Sequence, residues 1–315
     1  MTGTTHGPCV QRVLQALHAA RVPGWMFPAH FLDIFFASQV SSEGASAQMQ
    51  IGPHCLNGSG TVSKAAVALL ADVTMAAAVR GYAGRSVRIA TMSMRLSFAA
   101  LPAQGELKAS ASVRMMSVNL ALPTAAVAVE ISDAQGQLCC SGEATFAVLE
   151  NRSGVAAHPL PTRSTLTGSL SPEALTEDER QIWERALSCE AASADGRSFL
   201  EQFWSLLPAA DEHVRTACGV SWPVAVSGYN SNRVGHLQGG VLMGLMSSAC
   251  ASAAPQGMEL VDISVQYQAP VQADVVQLKA SPARIGRNAA FVNADMESAD
   301  GRILASAQGN LVQKR

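Results

Sequence analysis

The stretch NRVGHLQGGVLMGLMS, Asn232 to Ser247, reads as a polar loop that runs into an apolar helix opened by two glycines. Asn232 and Gly235 are loop-forming residues, and Gly239 and Gly240 bring no side chain to the point where the helix begins. A second stretch, NGSGTVSKAAVALLAD, repeats this pattern 175 residues earlier, so that Asn57, Gly60 and Asp72 correspond to Asn232, Gly235 and Ser247. The two copies divide one set of residues between them. The acid stands only in the first, and the glycine pair only in the second.

Outward from these two stretches the chain repeats. In the first half, Ala45 to Ile51 alternates as a strand does, Pro53 to Gly60 is a loop, and Thr61 to about Val79 is apolar almost all round, the mark of a core helix. Arg85 to Phe98, Glu106 to Val118, Ala125 to Ile131 and Leu138 to Leu149 are strand candidates, with a turn at Gln135-Gly136. In the second half FLEQF (199–203) echoes FLDIF (31–35). The loop and apolar helix return at 232–254, and strands follow at Val261 to Tyr267, Val275 to Ala283, Ala290 to Glu297 and Ile303 to Val312, with a turn at Asp300-Gly301. A period near half the chain predicts two similar α+β domains, each a central helix wrapped by an antiparallel sheet.

Two segments stand outside the repeat. PCVQRVLQALHAARV (8–22) places Val10, Val13, Leu14 and Leu17 at helical spacing. Residues 151–171 have the Ser/Thr/Pro/Gly composition of a linker, followed by a predicted amphipathic helix from Pro172 to about Leu187 with Ser171 as its cap. The expected divisions are an N-terminal helical extension (1–28), a first domain (29–150), a linker with a helix (151–195) and a second domain (196–315).

Composition narrows the function classes. Of 315 residues 48% are hydrophobic and 15% charged, which allows a large core and argues against disorder. A formal net charge of -2, with no Lys/Arg run, gives no reason to expect a nucleic-acid partner. Seven cysteines at irregular spacing fit no metal or disulfide framework and point to reduced thiols in the cytoplasm. The apolar run Ala65 to Val79 contains Asp72 and is too short for a bilayer, so no membrane span is expected. No metal or redox cofactor is implied.

At the two motif stretches the chain resembles the hotdog-fold thioesterases of the phenylacetyl-CoA type, present as a tandem double hotdog. That family's loop and helix read Asn-x-x-Gly-x-x-His-Gly-Gly, with an Asp nine residues after the His. The second half supplies Asn232, Gly235, Gln238, Gly239 and Gly240, then Ser247; the first supplies Asn57, Gly60, Ser63, Lys64 and Ala65, then Asp72. In such families two hotdogs lie side by side, one giving a helix N-terminus and the other the acid. The resemblance therefore implies one competent site, of Asp72 with Asn232, Gln238, Gly239 and Gly240, and one degenerate site, of Ser247 with Asn57, Ser63, Lys64 and Ala65.

The implied substrate is an acyl-CoA with an apolar acyl or aryl group, CoA being part of the substrate, and the implied assembly a homo-oligomer. Thioester hydrolysis needs a polarised carbonyl and an activated nucleophile. The Gly239 N–H at a helix tip suits the first need, and Asp72, with its pKa raised by burial, suits the second as general base or direct nucleophile. Gly239 and Gly240 are expected to let substrate approach the backbone, Gly235 to belong with Gly240 to the substrate-binding set, and Asn232 to brace the loop or orient water. Gln238 stands where the family has His and cannot take a proton. The alternative class is a non-catalytic acyl-CoA or lipid-binding protein.

Overall fold

The computed structural model of the chain describes residues 6–36, 40–84, 87–150, 160–162, 168–193, 196–208, 214–216 and 219–314. Most of the 151–171 linker lies outside the described residues. The first half runs α1 (Pro8–Ala20), α2 (Phe27–Phe31), β1 (Ile34–Phe36), β2 (Ala45–Gln50), α3 (Lys64–Ala83), β3 (Arg88–Phe98), β4 (Glu106–Ser117), β5 (Thr124–Ser132) and β6 (Leu138–Leu149). The second runs α4 (Glu177–Ser193), α5 (Phe199–Phe203), β7 (Val214–Thr216), β8 (Gly219–Ala225), α6 (Gly239–Ala253), β9 (Met258–Tyr267), β10 (Val275–Ile285), β11 (Ala289–Glu297) and β12 (Ile303–Gln313). Helix for helix and strand for strand, the two orders agree.

All strands join one 12-stranded antiparallel sheet in the order β1-β2-β4-β5-β6-β3-β9-β12-β11-β10-β8-β7, which reads the same from either end once the halves are matched. A pseudo-twofold axis therefore passes through the seam between β3 and β9, where Ser93 to Ser97 pairs with Gln266 to Asp262. The fold is two tandem hotdog units, each a central helix against its own half of the sheet.

The central helices α3 and α6 pack on the sheet and on each other. By length and composition alone α3 is apolar enough to cross a membrane, but 78% of that window is buried within the protein, as befits a core helix. The two helices meet at small residues. A Cβ on Gly240 would come within 2.5 Å of Leu69 Cα, and one on Gly244 within 2.4 Å of Ala65 Cβ. Leu69 and Gly244 are equivalent positions, as are Ala65 and Gly240, so one close approach is made twice by opposite choices of glycine. This contact draws the N-terminus of α6 alongside the first three turns of α3.

The leading helices prove to be part of the repeat. Arg12 of α1 donates to the carbonyls of Phe31 (3.0 Å) and His30 and to Asp33 Oδ1 (2.9 Å). Arg185 of α4 does the same for Phe203 (2.8 Å), Gln202 (2.8 Å) and Ser205 Oγ (2.9 Å). Asp33 and Ser205, at φ 58° and 54°, are the positive-φ residues other than glycine among the described residues, and each arginine holds the strained exit of a short helix. FLEQF therefore matches FPAHF (27–31), four residues ahead of the FLDIF echo read from the sequence.

Two further boundaries differ from expectation. After Ser171 comes a single 3-10 turn, Pro172–Ala174, without a side-chain cap bond, and the long helix begins only at Glu177. Its start is set by Thr176 and Glu179: the Thr176 N–H donates to the Glu179 carboxylate at 2.9 Å, and Thr176 Oγ1 accepts from the Glu179 N–H at 3.4 Å. Strands β7 and β8 were not anticipated. Pro223 interrupts the strand signal of GVSWPVA, yet it is tolerated because β7 covers only Gly219 to Ser221 of that edge.

Candidate active site

The loops before α3 and α6 are built alike. Asn232 Oδ1 accepts from the N–H groups of Val234 (3.0 Å) and His236 (3.2 Å), and Asn57 Oδ1 accepts from Ser59 (3.0 Å) and Thr61 (3.2 Å). Gly60 and Gly235 both sit at φ 80°, the left-handed region that glycine enters without strain. Asn232 is therefore a loop brace with its amide oxygen committed, and Gly235 is the turn that the brace closes on.

Past the loop, Gln238 caps α6 by accepting the Val241 N–H on its amide oxygen at 2.9 Å. That fixes the amide, and its nitrogen donates to Asp72 Oδ2 at 2.6 Å. Thr91 Oγ1 donates to Asp72 Oδ1 at 3.2 Å, from a β-bulge between Thr91 and Ser93 where β3 leaves its regular pairing with β6. The Gly240 N–H also favours the charged form of the Asp72 carboxylate. Asp72 thus lies in the third turn of one central helix while the N-terminus of the other is aimed at it.

The peptide joining Gly239 to Gly240 is held at its carbonyl. Its N–H faces Asp72, and its carbonyl accepts the Tyr267 hydroxyl at 2.9 Å. The preceding peptide's N–H, on Gly239, takes no acceptor among the described residues. Gly239 is half-buried, and a Cβ there would meet Thr91 Oγ1 at 3.2 Å and both Asp72 oxygens at 3.3 Å. Gly240 is buried against Leu69, so its lack of a side chain serves helix packing.

Burial dominates the electrostatics. Asp72 is 5% exposed, and desolvation raises its pKa to about 6, against the pull of Gln238, Thr91, the Gly240 N–H and the charge of Arg80. Arg80, two turns further along α3, is pushed down to about 10 by burial and by Arg233. The Tyr267 hydroxyl is raised well above its usual range by burial and by the nearby Asp72 charge, which keeps it a donor.

The pseudo-symmetric position differs in each respect. Ser247 turns back to the Met243 carbonyl of its own helix at 2.8 Å, Ser63 caps α3, and Lys64 pairs with Glu259 at 2.9 Å. Sequence reasoning brought Asp72, Gln238, Gly239 and Gly240 together. It missed Thr91 and Tyr267, which reach Asp72 through tertiary packing that no local spacing announces, and Arg80, which lies two turns along the helix that carries Asp72.

Comparison with known proteins accords with this geometry. Residues 230–312 match the family model described as the acyl-CoA thioesterase N-terminal domain, and residues 34–148 match DUF4442, a domain of unknown function. Among curated protein sequences none matches. Solved structures match over most of the chain. A Lactobacillus plantarum protein described as an oleoyl thioesterase is 11% identical, with 90% of this chain and 97% of that one covered at a TM-score of 0.55. The 12:0-ACP thioesterase of Umbellularia californica is 7% identical, covering 85% and 94% at 0.53. The tesB protein of Mycobacterium avium subsp. paratuberculosis is 13% identical, covering 88% and 95% at 0.53. At these identities the structures speak for the fold, and the activity rests on the family match. Residues 230–312 resemble an acyl-CoA thioesterase domain, and the chain is a thioester hydrolase of double-hotdog fold.

Proposed function

We propose that the chain hydrolyses a CoA thioester of an apolar acyl or aryl acid at one composite site, with Asp72 contributed by the first repeat and the tip of α6 by the second. The observation that carries this reading is the 2.6 Å hydrogen bond from Gln238 to Asp72, which sets the carboxylate against the Gly239 amide. The thioester oxygen takes the Gly239 N–H, at the positive end of a 15-residue helix. One such donor contributes on the order of 3 kcal/mol to the transition state. Tyr267, by gripping the next peptide, keeps that donor aimed. Asp72, ionised above about pH 6, activates water or attacks the carbonyl itself. Gln238 orients the carboxylate and carries no proton.

In this reading Asn232 and Gly235 shape the loop, Gly240 lets the helices close, and the Ser247 side is silent. No metal or redox cofactor takes part. A homo-oligomer in the cytoplasm fits the reading, with six described cysteines free of disulfides.

A binding-only protein is the second reading, favoured by Gln238, which cannot take a proton, and by Ser247, which stands where the first repeat has Asp72. A thiol-release screen across acyl chain lengths and aryl groups decides between them. Hydrolysis is expected in the wild type and its loss in Asp72→Asn. Equal background rates in both proteins across the panel would leave binding alone.

A further inference from the structure

The loop that joins β4 to β5 is VNLALP (118–123), and Val118, Leu120 and Leu122 stand 61%, 56% and 42% exposed on it. The corresponding loop of the second repeat, between β10 and β11, is GRN (286–288) and holds no apolar side chain. Met115 adds to the patch, because a bulge between Val113 and Met115 leaves both Arg114 and Met115 exposed. No charged residue stands between Arg114 and Glu130. An apolar patch held in water marks a surface that meets an apolar partner.

The patch has a basic collar. Arg114 precedes it on β4. At its other end the Pro123 carbonyl accepts the Val148 N–H at 2.8 Å, and the next residue of β6, Leu149, pairs with Arg88 at the start of β3. Both arginines are exposed, and among the described residues neither forms an ion pair with a carboxylate. Glu150, which follows Leu149, is the acid at this end of the four strands. Strand register also relates the patch to the site. Thr91, which bonds Asp72, pairs with Phe146, Phe146 with Ala125, and Ala125 with Met116, two residues before Val118. Three strand spacings put Met116 about 15 Å from Thr91.

We propose that the loop 118–123 docks on an anionic lipid surface, its apolar side chains entering the headgroup layer while Arg88 and Arg114 lie against lipid phosphates. The patch itself selects this occupant. It is a loop and not a groove, so it encloses no small molecule. Its exposed area, roughly a few hundred Å², falls short of the roughly 800 Å² that each partner gives to a stable protein complex. Apolar side chains ringed by unpaired arginines are what an anionic interface holds. The inference goes beyond hydrolysis and does not depend on it. Together with the thioesterase reading, it sets the site beside the surface into which apolar acyl chains partition.

The test floats the full chain with vesicles of phosphatidylcholine, with and without phosphatidylglycerol, for the wild type, the double variant Leu120→Asp with Leu122→Asp, and Arg114→Gln. The substituted residues are all exposed, and thermal melts check that each variant keeps the fold. The wild type is expected to float with the anionic vesicles and to be released by salt. The double variant is expected to partition at least about tenfold less, and Arg114→Gln about fivefold less. A wild type that floats with neither vesicle, or equally with both, would overturn the proposal, as would a double variant that floats as well as wild type. If instead the wild type sediments as a dimer that the double variant dissolves, and neither floats, the patch is a contact between copies and the proposal fails. Flotation needs no turnover, so its outcome stands whether or not the chain hydrolyses a thioester.

Discussion

Gln238 Nε2 donates to Asp72 Oδ2 at 2.6 Å across 166 residues of chain, joining the cap of one central helix to the third turn of the other. The bond favours the ionised carboxylate, whereas burial opposes it, and the balance leaves Asp72 near a pKa of about 6. If ionised Asp72 is the active form, kcat/KM rises with pH through about 6 and then levels. Gln238→Met removes the donor that most favours the charge. The acid limb is then expected to move to higher pH and the plateau to fall, as measured by pH profiles of thiol release.

Stability carries the opposite sign. A carboxylate whose folded pKa lies above its ordinary value of 3.8 contributes stability that is full below that value and is lost as pH rises through about 6. Asp72→Asn, which keeps the shape and removes the charge, is therefore expected to melt higher than wild type at pH 7.5. The gain is on the order of 3 kcal/mol at most and shrinks towards pH 4. Thermal melts at the two pH values check this.

The adjacent glycines should separate activity from stability. Gly240→Ala drives a Cβ to 2.5 Å from Leu69 Cα, so the helices must part, at a cost of about 2 kcal/mol in denaturant unfolding. Gly239→Ala meets Thr91 and Asp72 at 3.2–3.3 Å, which a small shift relieves. Its stability should change little, while kcat/KM falls about a hundredfold because the amide and the carboxylate are displaced.

At the other pseudo-symmetric position, Ser247 satisfies its hydroxyl on Met243 of its own helix. Ser247→Ala is expected to leave thiol-release rates within about twofold of wild type and unfolding within about 0.5 kcal/mol. A large loss of turnover would mean that the degenerate side takes part.

The repeat and the motif loops were readable because they are local: an Asn brace, a positive-φ glycine and an apolar helix follow one another in the chain at fixed spacing. The Asp72–Gln238 partnership was readable only through the resemblance, since nothing in either stretch says which copy it faces. Thr91 depends on a bulge in β3 and Tyr267 on the end of β9 arriving at the helix tip, whereas Arg80 lies two turns along the helix that carries Asp72, a spacing the sequence does show. The leading helices escaped notice as repeats because their common feature is a single arginine, Arg12 or Arg185, acting on a helix exit some 18 residues away.

The central claim is that a carboxylate of one repeat and an amide of the other act as a single unit, and a double-mutant cycle of kcat/KM over Asp72→Asn and Gly239→Ala tests it most directly. Asp72→Asn is expected to cost about a thousandfold, and adding Gly239→Ala to it should cost almost nothing more. A single Asp72→Asn variant that keeps more than about a tenth of the wild-type rate, or two losses that simply multiply, would contradict the account.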